Sequence, residues 1–275
     1  MSTFDLAPYF KRIGYTGTPT PSLETLRELH RRHAEAIPFE NLDPLLKRPV
    51  NLDPLSLERK LVHERRGGYC FEQNGLFAAV LEAIGFRITR LGARVVYGQS
   101  ADAATARTHM LLRVDIGDES HLADVGFGGL VLTAPLRLAV DVEQATPHEP
   151  FRLVHWNDEY LMEAQVREAW VPLYRFTLVE QLPIDYEVGS WYVSTYPASF
   201  FTTMLVASRP APGLRYALRN NELAIHHLRG ETERRTLGNA AELRQALSEL
   251  LLIELPTGAE VDALIERIAA TPPAP

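Results

Sequence analysis

The stretch RRGGYCFEQN, residues 65–74, contains Cys70, the only cysteine in the 275-residue chain. It leads into a run that is apolar on nearly every side, FEQNGLFAAVLEAI. Such a run predicts a central buried helix, with Gly85 in the left-handed position at its end. Cys70 then lies in the first turn of that helix. The stretch therefore decides where the central helix begins and which reactive side chain stands at its start.

Its position makes Cys70 a candidate nucleophile. Gly67 and Gly68 allow the backbone to turn sharply and to approach a ligand. Free N–H groups at the start of a helix, the positive end of the helix dipole and the neighbouring Arg65 or Arg66 all favour a thiolate over a thiol. An isolated cysteine is nevertheless more often a small buried apolar side chain, so a catalytic role for Cys70 requires partners elsewhere in the chain.

The composition of the chain excludes several classes of protein. Apolar residues make up 46% and charged residues 23%, which is ordinary for a globular enzyme. A net charge of −7 opposes a broad nucleic-acid-binding face. One cysteine allows no internal disulfide and no multi-cysteine metal site. The chain starts without a basic segment followed by an apolar one and has no run of about 18 apolar residues, so we expect a cytoplasmic protein.

The first third of the chain reads as helical. The segment TPSLETLRELHRRHAEAI predicts a helix capped by Thr20 or Ser22 and ended by Pro38. A second helix is predicted after Pro54, with Ser56 as its cap and the glycine pair at 67–68 as its end. The basic runs HRRH (30–33) and ERR (64–66) are interpreted as solvated helix faces or local salt bridges.

The middle of the chain changes to a period of two. Its strand-like segments are separated by Gly, Asp, Asn and Pro turns, which is typical of an antiparallel sheet or barrel. In order they are RITRLGARVVY, THMLLRVDI, SHLADV, FRLVHW, EYLMEAQV and FTLVEQL.

The last part of the chain is predicted to be mixed. YPASFF (196–201) is interpreted as a crossover, and Asn220-Asn221 as the turn of a hairpin. Two helices then close the chain, one from a cap at Asn239 through Leu252 and one from a cap at Thr257 to about Ala269.

His109 and Asp124 are the candidate partners of Cys70, because a cysteine nucleophile needs a histidine base and the histidine an orienting carboxylate. They lie on consecutive strands. A turn centred on residues 116–117 places His109 directly opposite Asp124, whereas a turn centred on residues 118–119 places Asp124 opposite Arg113. In the second register only strand twist or a bulge could bring the pair together.

A cysteine on a helix followed by histidine and aspartate on strands is the order found in papain-like and transglutaminase-like enzymes, and it suits acyl transfer. The other histidines do not cluster. His226 and His227 point to opposite faces of a strand, while His30 and His33 lack a third ligand. The sequence therefore indicates no metal site.

Taken together, these segments resemble the arylamine N-acetyltransferase family. The resemblance covers roughly the first 210 residues in family order, and the remainder matches in the order of its elements. The chain is compact between Trp170 and Pro183, as in the shorter bacterial members. The matching segments are RIGY (12–15), AIPFENL (36–42), RGGYCFEQN (66–74), RVV (94–96), THMLL (108–112), DVGFGG (124–129) and STYPASFF (194–201).

The resemblance implies an α+β fold with a papain/transglutaminase-like core. It divides the chain into a helical bundle with Cys70 (residues 1–86), an antiparallel β-barrel with His109 and Asp124 (87–197) and an α/β lid (198–275).

The resemblance also implies the chemistry. Cys70, His109 and Asp124 would form a triad that takes an acetyl group from acetyl-CoA and passes it to an arylamine, a hydrazine or an arylhydroxylamine. It implies further roles, which are an acceptor pocket at Val95 and Phe127, backbone approach to pantetheine at Gly126 and Gly128, CoA binding at Thr108, and a buried ion pair between Glu40 and Arg66.

Three alternatives remain open. They are an amide synthase of the same family that moves a larger acyl chain, a transglutaminase-like enzyme or cysteine peptidase, and a binding module that keeps the fold without catalysis. The expected partners are small molecules, with no nucleic acid, membrane or metal, and the expected state is a monomer or a weak homodimer.

Overall fold

The computed structural model describes residues 5–272, which begin as a bundle of helices. Ser22 is confirmed as a cap, because its hydroxyl accepts a hydrogen bond from the backbone of Thr25 at 3.3 Å. The helix that it caps ends just before Pro38, as predicted. The elements are α1 (Leu6–Ile13), α2 (Leu23–Ala36), β1 (Phe39–Glu40), α3 (Leu42–Leu45), α4 (Pro54–Glu58), which continues as a π-helical turn (Arg59–His63), and α5 (Cys70–Ile84).

Two details of the predicted second helix are wrong. Its cap is Asp53 rather than Ser56, because the carboxylate of Asp53 accepts from the backbone N–H of Ser56 at 3.0 Å, with Pro54 in the first turn. The helix also ends at His63, before the glycine pair, since Arg65 adopts a left-handed conformation with φ of 52°.

The interpretation of HRRH as a solvated face is wrong for both histidines. His30 and His33 are fully buried, whereas Arg31 and Arg32 lie on the outer side of α2 and pair with glutamates of the same helix. Two positions three residues apart lie on one helix face, which here is the apolar one.

The central helix α5 is confirmed. Gly85 ends it in the left-handed conformation with φ of 101°, and the backbone of Phe86 donates to Leu81. Ten of its fifteen residues are buried. Leu76, Phe77 and Leu81 form the middle of a core that also contains Met110 of the following sheet.

An antiparallel sheet of seven strands follows and forms a nearly closed barrel, in agreement with the predicted fold class. The segment that connects the two edge strands runs along one of them, the strand Phe151–Trp156. There the backbone N–H of Asp141 donates to the carbonyl of Leu153, and Gln144 pairs with Phe151. In spatial order β5-β4-β3-β2-β8-β7-β6, the strands are β2 (Arg87–Val95), β3 (Arg107–Ile116), β4 (Glu119–Ala123), β5 (Leu136–Arg137), β6 (Phe151–Trp156), β7 (Glu159–Val166) and β8 (Ala169–Glu180).

The last part of the chain contains helices that the sequence patterns did not predict. They are α6 (Pro183–Thr195) and the short α7 (Phe200–Thr203), which begins inside the segment interpreted as a crossover. The predicted hairpin turn at Asn220-Asn221 is confirmed, and Asn239 caps the next helix. The last helix has Gly258 as its cap rather than Thr257. The elements are β9 (Val206–Ala211), β10 (Leu214–Arg219), β11 (Glu222–His227), β12 (Thr232–Thr236), α8 (Ala240–Gln245) and α9 (Ala259–Ala269).

The strands β1 and β9 to β12 form a second antiparallel sheet, in the spatial order β1-β9-β10-β11-β12. The first and last parts of the chain are joined through β1, which lies at the edge of this second sheet beside β9. Next to it, the buried amide of Asn41 donates to the carbonyls of Phe201 and Met204 and accepts from the N–H of Val206. The division at residues 86/87 and 197/198 stays a prediction, and residues 1–4 and 273–275 of its outer segments lie outside the described part. Between residues 5 and 272 no helix combines the length and apolar character that crossing a membrane requires.

Candidate active site

Cys70 is the first residue of α5 and is only 5% exposed. Its thiol donates to the backbone carbonyl of Thr108, with 3.5 Å between Sγ and oxygen. The carboxylate of Glu72 accepts from the backbone N–H of Tyr69 at 3.1 Å and so completes the first turn of the helix. The thiol therefore lies at a capped helix N-terminus, facing β3.

The glycines before Cys70 serve packing rather than a sharp turn. A Cβ on Gly67 would lie 2.2 Å from the carbonyl oxygen of Pro38, so only glycine fits against this neighbouring backbone. The left-handed residue of the segment is Arg65, not either glycine. The expectation that Gly67 and Gly68 form the turn is therefore wrong.

The structure brings His109 and Asp124 together, with 2.7 Å between Nε2 and Oδ2. Neither predicted register is correct. Ile116 pairs with Glu119, which places Gly117 in the two-residue turn with φ of 59° and would put Asp124 beside Leu111. His109 lies diagonally across from that position.

Asp124 reaches His109 because the chain leaves the sheet at this residue. Strand β4 ends at Ala123, and other elements then hold Asp124. Asn74 of α5 donates to Oδ1 at 2.9 Å, and the backbone N–H of Gly126 donates to the same oxygen at 3.0 Å. His30 of α2 accepts from the backbone N–H of Asp124 at 3.1 Å. These three groups, Asn74, Gly126 and His30, lie outside the paired strands of the sheet.

The buried carboxylate controls the charge of His109. Burial alone would lower the pKa of His109, but the charge of Asp124 and the hydrogen bonds with Asp124 and Cys70 outweigh burial and raise that pKa to about 10. The pKa of Asp124 is lowered, because the charge and hydrogen bond of His109 outweigh the effect of burial. His109 has only two ring nitrogens and Nε2 faces Asp124, so Nδ1 serves the hydrogen bond with Cys70.

Two aromatic rings enclose His109. Phe127 meets it edge-on with 5.3 Å between ring centroids, and Tyr174 of β8 lies 4.8 Å away. Rings in this arrangement exclude water from the imidazole and fix its plane.

The other residues singled out from the sequence lie around this centre. Thr108 contributes its carbonyl to the thiol, and Val95 ends β2 in a half-buried position. A Cβ on Gly126 would lie 2.8 Å from the Cα of Cys70, so this glycine lets the loop pack directly on the start of α5. Gly128 has φ of 85° and faces the ring of Phe39.

Glu40 and Arg66 form a buried ion pair, with 2.7 Å between Oε1 and Nη2. Asp43 also contacts Arg66 at 3.2 Å, and Lys60 bridges Asp43 to Glu72 with 2.6 Å to each carboxylate. Arg66 is therefore not a solvated charge of the ERR run but part of a charge network under the first turn of α5.

Asn74, Tyr174 and His30 are the site residues that the sequence patterns missed. Asn74 follows Cys70 by four residues and so shares its helix face, which is the one sequence signal that could have suggested it. Tyr174 and His30 carry no such signal, because they reach the site from other elements. Within the described part of the chain, no three His, Cys, Asp or Glu side chains are grouped so that they could hold a metal ion.

Residues 22–260 match the family model described as N-acetyltransferase. The chain is 45% identical to the arylamine N-acetyltransferase of Mycolicibacterium smegmatis, over 97% of this chain and 99% of that protein. It is 40% identical to a Salmonella typhimurium protein named arylamine N-acetyltransferase / N-hydroxyarylamine O-acetyltransferase, over 90% and 88% of the two chains.

Solved structures show the same likeness. The arylamine N-acetyltransferase of Mycobacterium marinum in complex with CoA superposes with a TM-score of 0.92, at 42% identity, over 96% of this chain and 99% of that one. Sequence identity and fold agree over nearly the whole length, and the chain belongs to the arylamine N-acetyltransferase family.

Proposed function

We propose that this protein transfers the acetyl group of acetyl-CoA to arylamines, arylhydrazines and hydrazides, and to the oxygen of arylhydroxylamines. Family membership gives the reaction type. The relatives from M. smegmatis and S. typhimurium are both named for N-acetylation of arylamines, and the second also for O-acetylation of N-hydroxyarylamines. The single observation that carries the proposal is the series of three buried groups, Cys70, His109 and Asp124, with the thiol at a helix N-terminus.

In the first half of the reaction the Cys70 thiolate attacks the thioester carbonyl. Backbone N–H groups at the start of α5 favour the thiolate, and His109 carries the proton that Cys70 has lost. The bond between the acetyl carbon and the CoA sulfur breaks, and the departing sulfur takes the proton from His109. The products are acetyl-Cys70 and free CoA.

In the second half the amine nitrogen attacks acetyl-Cys70. Neutral His109 accepts the proton that the nitrogen loses, and Asp124 stabilises the resulting imidazolium. The Cys70 sulfur leaves as a thiolate, which restores the starting state. CoA leaves before the amine reacts with acetyl-Cys70, so the kinetics are ping-pong.

The surrounding residues are assigned supporting roles. Phe127 and Val95 line the acceptor pocket, which the position of Phe127 against His109 supports. Thr108 takes part in CoA binding, and Gly126 and Gly128 keep side chains away from the path of pantetheine. Glu40 and Arg66 fix the bundle beside the nucleophile, and their burial supports this role.

The alternatives are not favoured. Relatives at 40–45% identity over most of the chain are named as arylamine N-acetyltransferases, not as amide synthases, transglutaminases or peptidases. A binding module would not need the buried pair of His109 and Asp124, which costs desolvation. The state of the protein as a monomer or weak homodimer stays a prediction.

The test is intact-protein mass spectrometry after mixing with acetyl-CoA. We expect one acetyl-sized adduct on Cys70, absent from the Cys70→Ser variant, which disappears when an arylamine is added. Steady-state rates should give parallel double-reciprocal lines. An unmodified Cys70, or an adduct that arylamines and hydrazines leave in place, would contradict the proposal.

A further inference from the structure

His30 is fully buried on α2, and the reaction proposed above gives it no role. Its Nε2 accepts a hydrogen bond from the backbone N–H of Asp124, at 3.1 Å between the nitrogens. Asp124 is the first residue after β4, where the sheet no longer supplies hydrogen bonds. His30 thus replaces the missing ladder partner at the point where the chain leaves the sheet.

The ring of His30 is neutral. Burial lowers the pKa of His30 to about 3, although the charge of Asp124 opposes this, and His33 on the same helix lowers it further. Since Nε2 accepts, the proton lies on Nδ1. Among the described residues Nδ1 has no hydrogen-bond partner, and the ring otherwise meets the edge of Phe77 at 5.7 Å.

An unpaired buried N–H costs free energy that an apolar side chain at this position would not. A buried polar side chain with an unpaired N–H beside a reaction centre is more readily explained by function than by packing. What an apolar side chain could not provide here is the hydrogen-bond acceptor Nε2, which faces the backbone N–H of Asp124.

Three elements therefore hold Asp124 from different sides. Asn74 of α5 binds Oδ1, His109 of β3 binds Oδ2, and His30 of α2 binds the backbone N–H. Because the backbone N–H of Asp124 is held by His30 and its Oδ1 by Asn74, the carboxylate has little freedom to rotate. Oδ2 is then left aligned with the imidazole of His109.

We propose that His30 is a positioning residue for acetyl transfer, which holds the backbone of Asp124 so that its carboxylate orients His109. The inference rests on the proposed function for the reaction that it serves. His30 contacts no reacting group, and its effect passes entirely through Asp124.

The test compares His30→Gln with His30→Asn. The amide oxygen of glutamine reaches the position of Nε2 and can accept from Asp124, whereas that of asparagine is too short. We expect His30→Asn to lower kcat by about 10- to 100-fold, the range found when metal ligands lose the hydrogen bonds that orient them, with KM for acetyl-CoA changed by less than about twofold. His30→Gln should stay within about threefold of the natural protein.

The control is His33→Gln, on the same face of α2. His33 is also fully buried and binds Tyr9 at 2.9 Å and Gln73 at 2.8 Å, but it does not contact Asp124. The second readout is the rate of Cys70 alkylation by iodoacetamide against pH. It should rise at higher pH in His30→Asn than in the natural protein, and at an unchanged pH in His33→Gln.

Equal kcat values and equal alkylation profiles for His30→Asn and His30→Gln would overturn the proposal, even if both variants lose stability. The two readouts also separate this inference from the proposed function. If the natural protein acetylates no amine, the proposed function fails, while the difference between the alkylation profiles still tests the contact of His30 with Asp124.

Discussion

At the scale of the residue, the feature that governs this site is a buried charge pair. His109 and Asp124 are 3% and 0% exposed, so neither charge is solvated and each depends on the other. Removing one partner of such a pair leaves an uncompensated charge, which is far more damaging than never having had the pair. The reactivity of Cys70 therefore depends on a carboxylate that it does not touch.

We predict that Asp124→Asn lowers kcat/KM for acetyl transfer on the order of 10³-fold or more, because an amide cannot stabilise the imidazolium of His109. The control is Asp115→Asn on the same hairpin, where the carboxylate binds Ser120 and Arg113 outside the site. Activity above about a tenth of the natural level in Asp124→Asn would contradict the assignment.

The same pair gives a pH-dependent stability. The pKa of His109 is raised to about 10, so the folded protein keeps a proton that the unfolded chain loses above its ordinary value of about 6.5. The stabilisation is therefore complete below about pH 6.5 and declines as the pH rises toward 10. Urea unfolding should show this decline in the natural protein and not in Asp124→Asn. A difference between the two proteins that is constant from pH 6 to pH 10 would show that His109 does not hold the proton.

At the scale of the element, the loop after β4 packs on the first turn of α5 without an intervening side chain. The backbone of Gly126 lies so close to Cys70 that a Cβ would be 2.8 Å from its Cα. Gly126 also donates to Asp124, so the same loop fixes the carboxylate and borders the nucleophile. A displacement of this loop would therefore disturb both the carboxylate of Asp124 and the surroundings of Cys70.

We predict that Gly126→Ala destabilises the fold by about 1–3 kcal/mol, as expected for overpacking, and lowers acetyl transfer at least about tenfold. The matched control is Gly129→Ala, where a Cβ would meet nothing within 4 Å and should change stability by less than about 0.5 kcal/mol. Urea unfolding and the acetyl-transfer rate measure both effects. Equal behaviour of the two variants would show that the loop yields to the added methyl group.

At the scale of the whole molecule, the N-terminal bundle and the second sheet are connected through Asn41. Its fully buried amide makes three hydrogen bonds with the backbone at Phe201, Met204 and Val206. These residues lie more than 150 positions away in the sequence. Asn41 therefore makes long-range contacts that hold the backbone in and after α7 in place.

We predict that Asn41→Ala costs about 3 kcal/mol of unfolding free energy, because it leaves buried backbone groups unpaired. Amide hydrogen exchange should accelerate in residues 200–219 more than in β2. Asn51→Ala, at an exposed position, is the control and should change stability by less than about 0.5 kcal/mol. Uniform acceleration across the whole chain would contradict a local role for Asn41.

Local patterns were sufficient for much of the fold. Apolar runs, caps and turn residues predicted α2, α5, the strands β2, β3, β4, β6 and β7 and the hairpin at Asn220-Asn221, because those features act between residues close in sequence. They missed the two-residue β5 and predicted only the end of β8. The local patterns missed α6 because its sequence, PIDYEVGSWYVST, has neither a clear apolar face nor strong helix-forming residues. This helix depends on packing against the rest of the protein. Three of its residues, Tyr186, Gly189 and Ser190, are buried against other elements.

The sequence by itself determined the kind of chemistry, since it supplied one cysteine at a helix start and a histidine and an aspartate on consecutive strands. Only the tertiary structure decided how the aspartate meets the histidine. Strand β3 is buried on both faces, with Leu111 on one side and Met110 and Leu112 on the other, so alternation of apolar residues could not specify its register. The pairing was set instead by the turn at Gly117 and by His30 and Asn74, which hold Asp124 from distant parts of the chain.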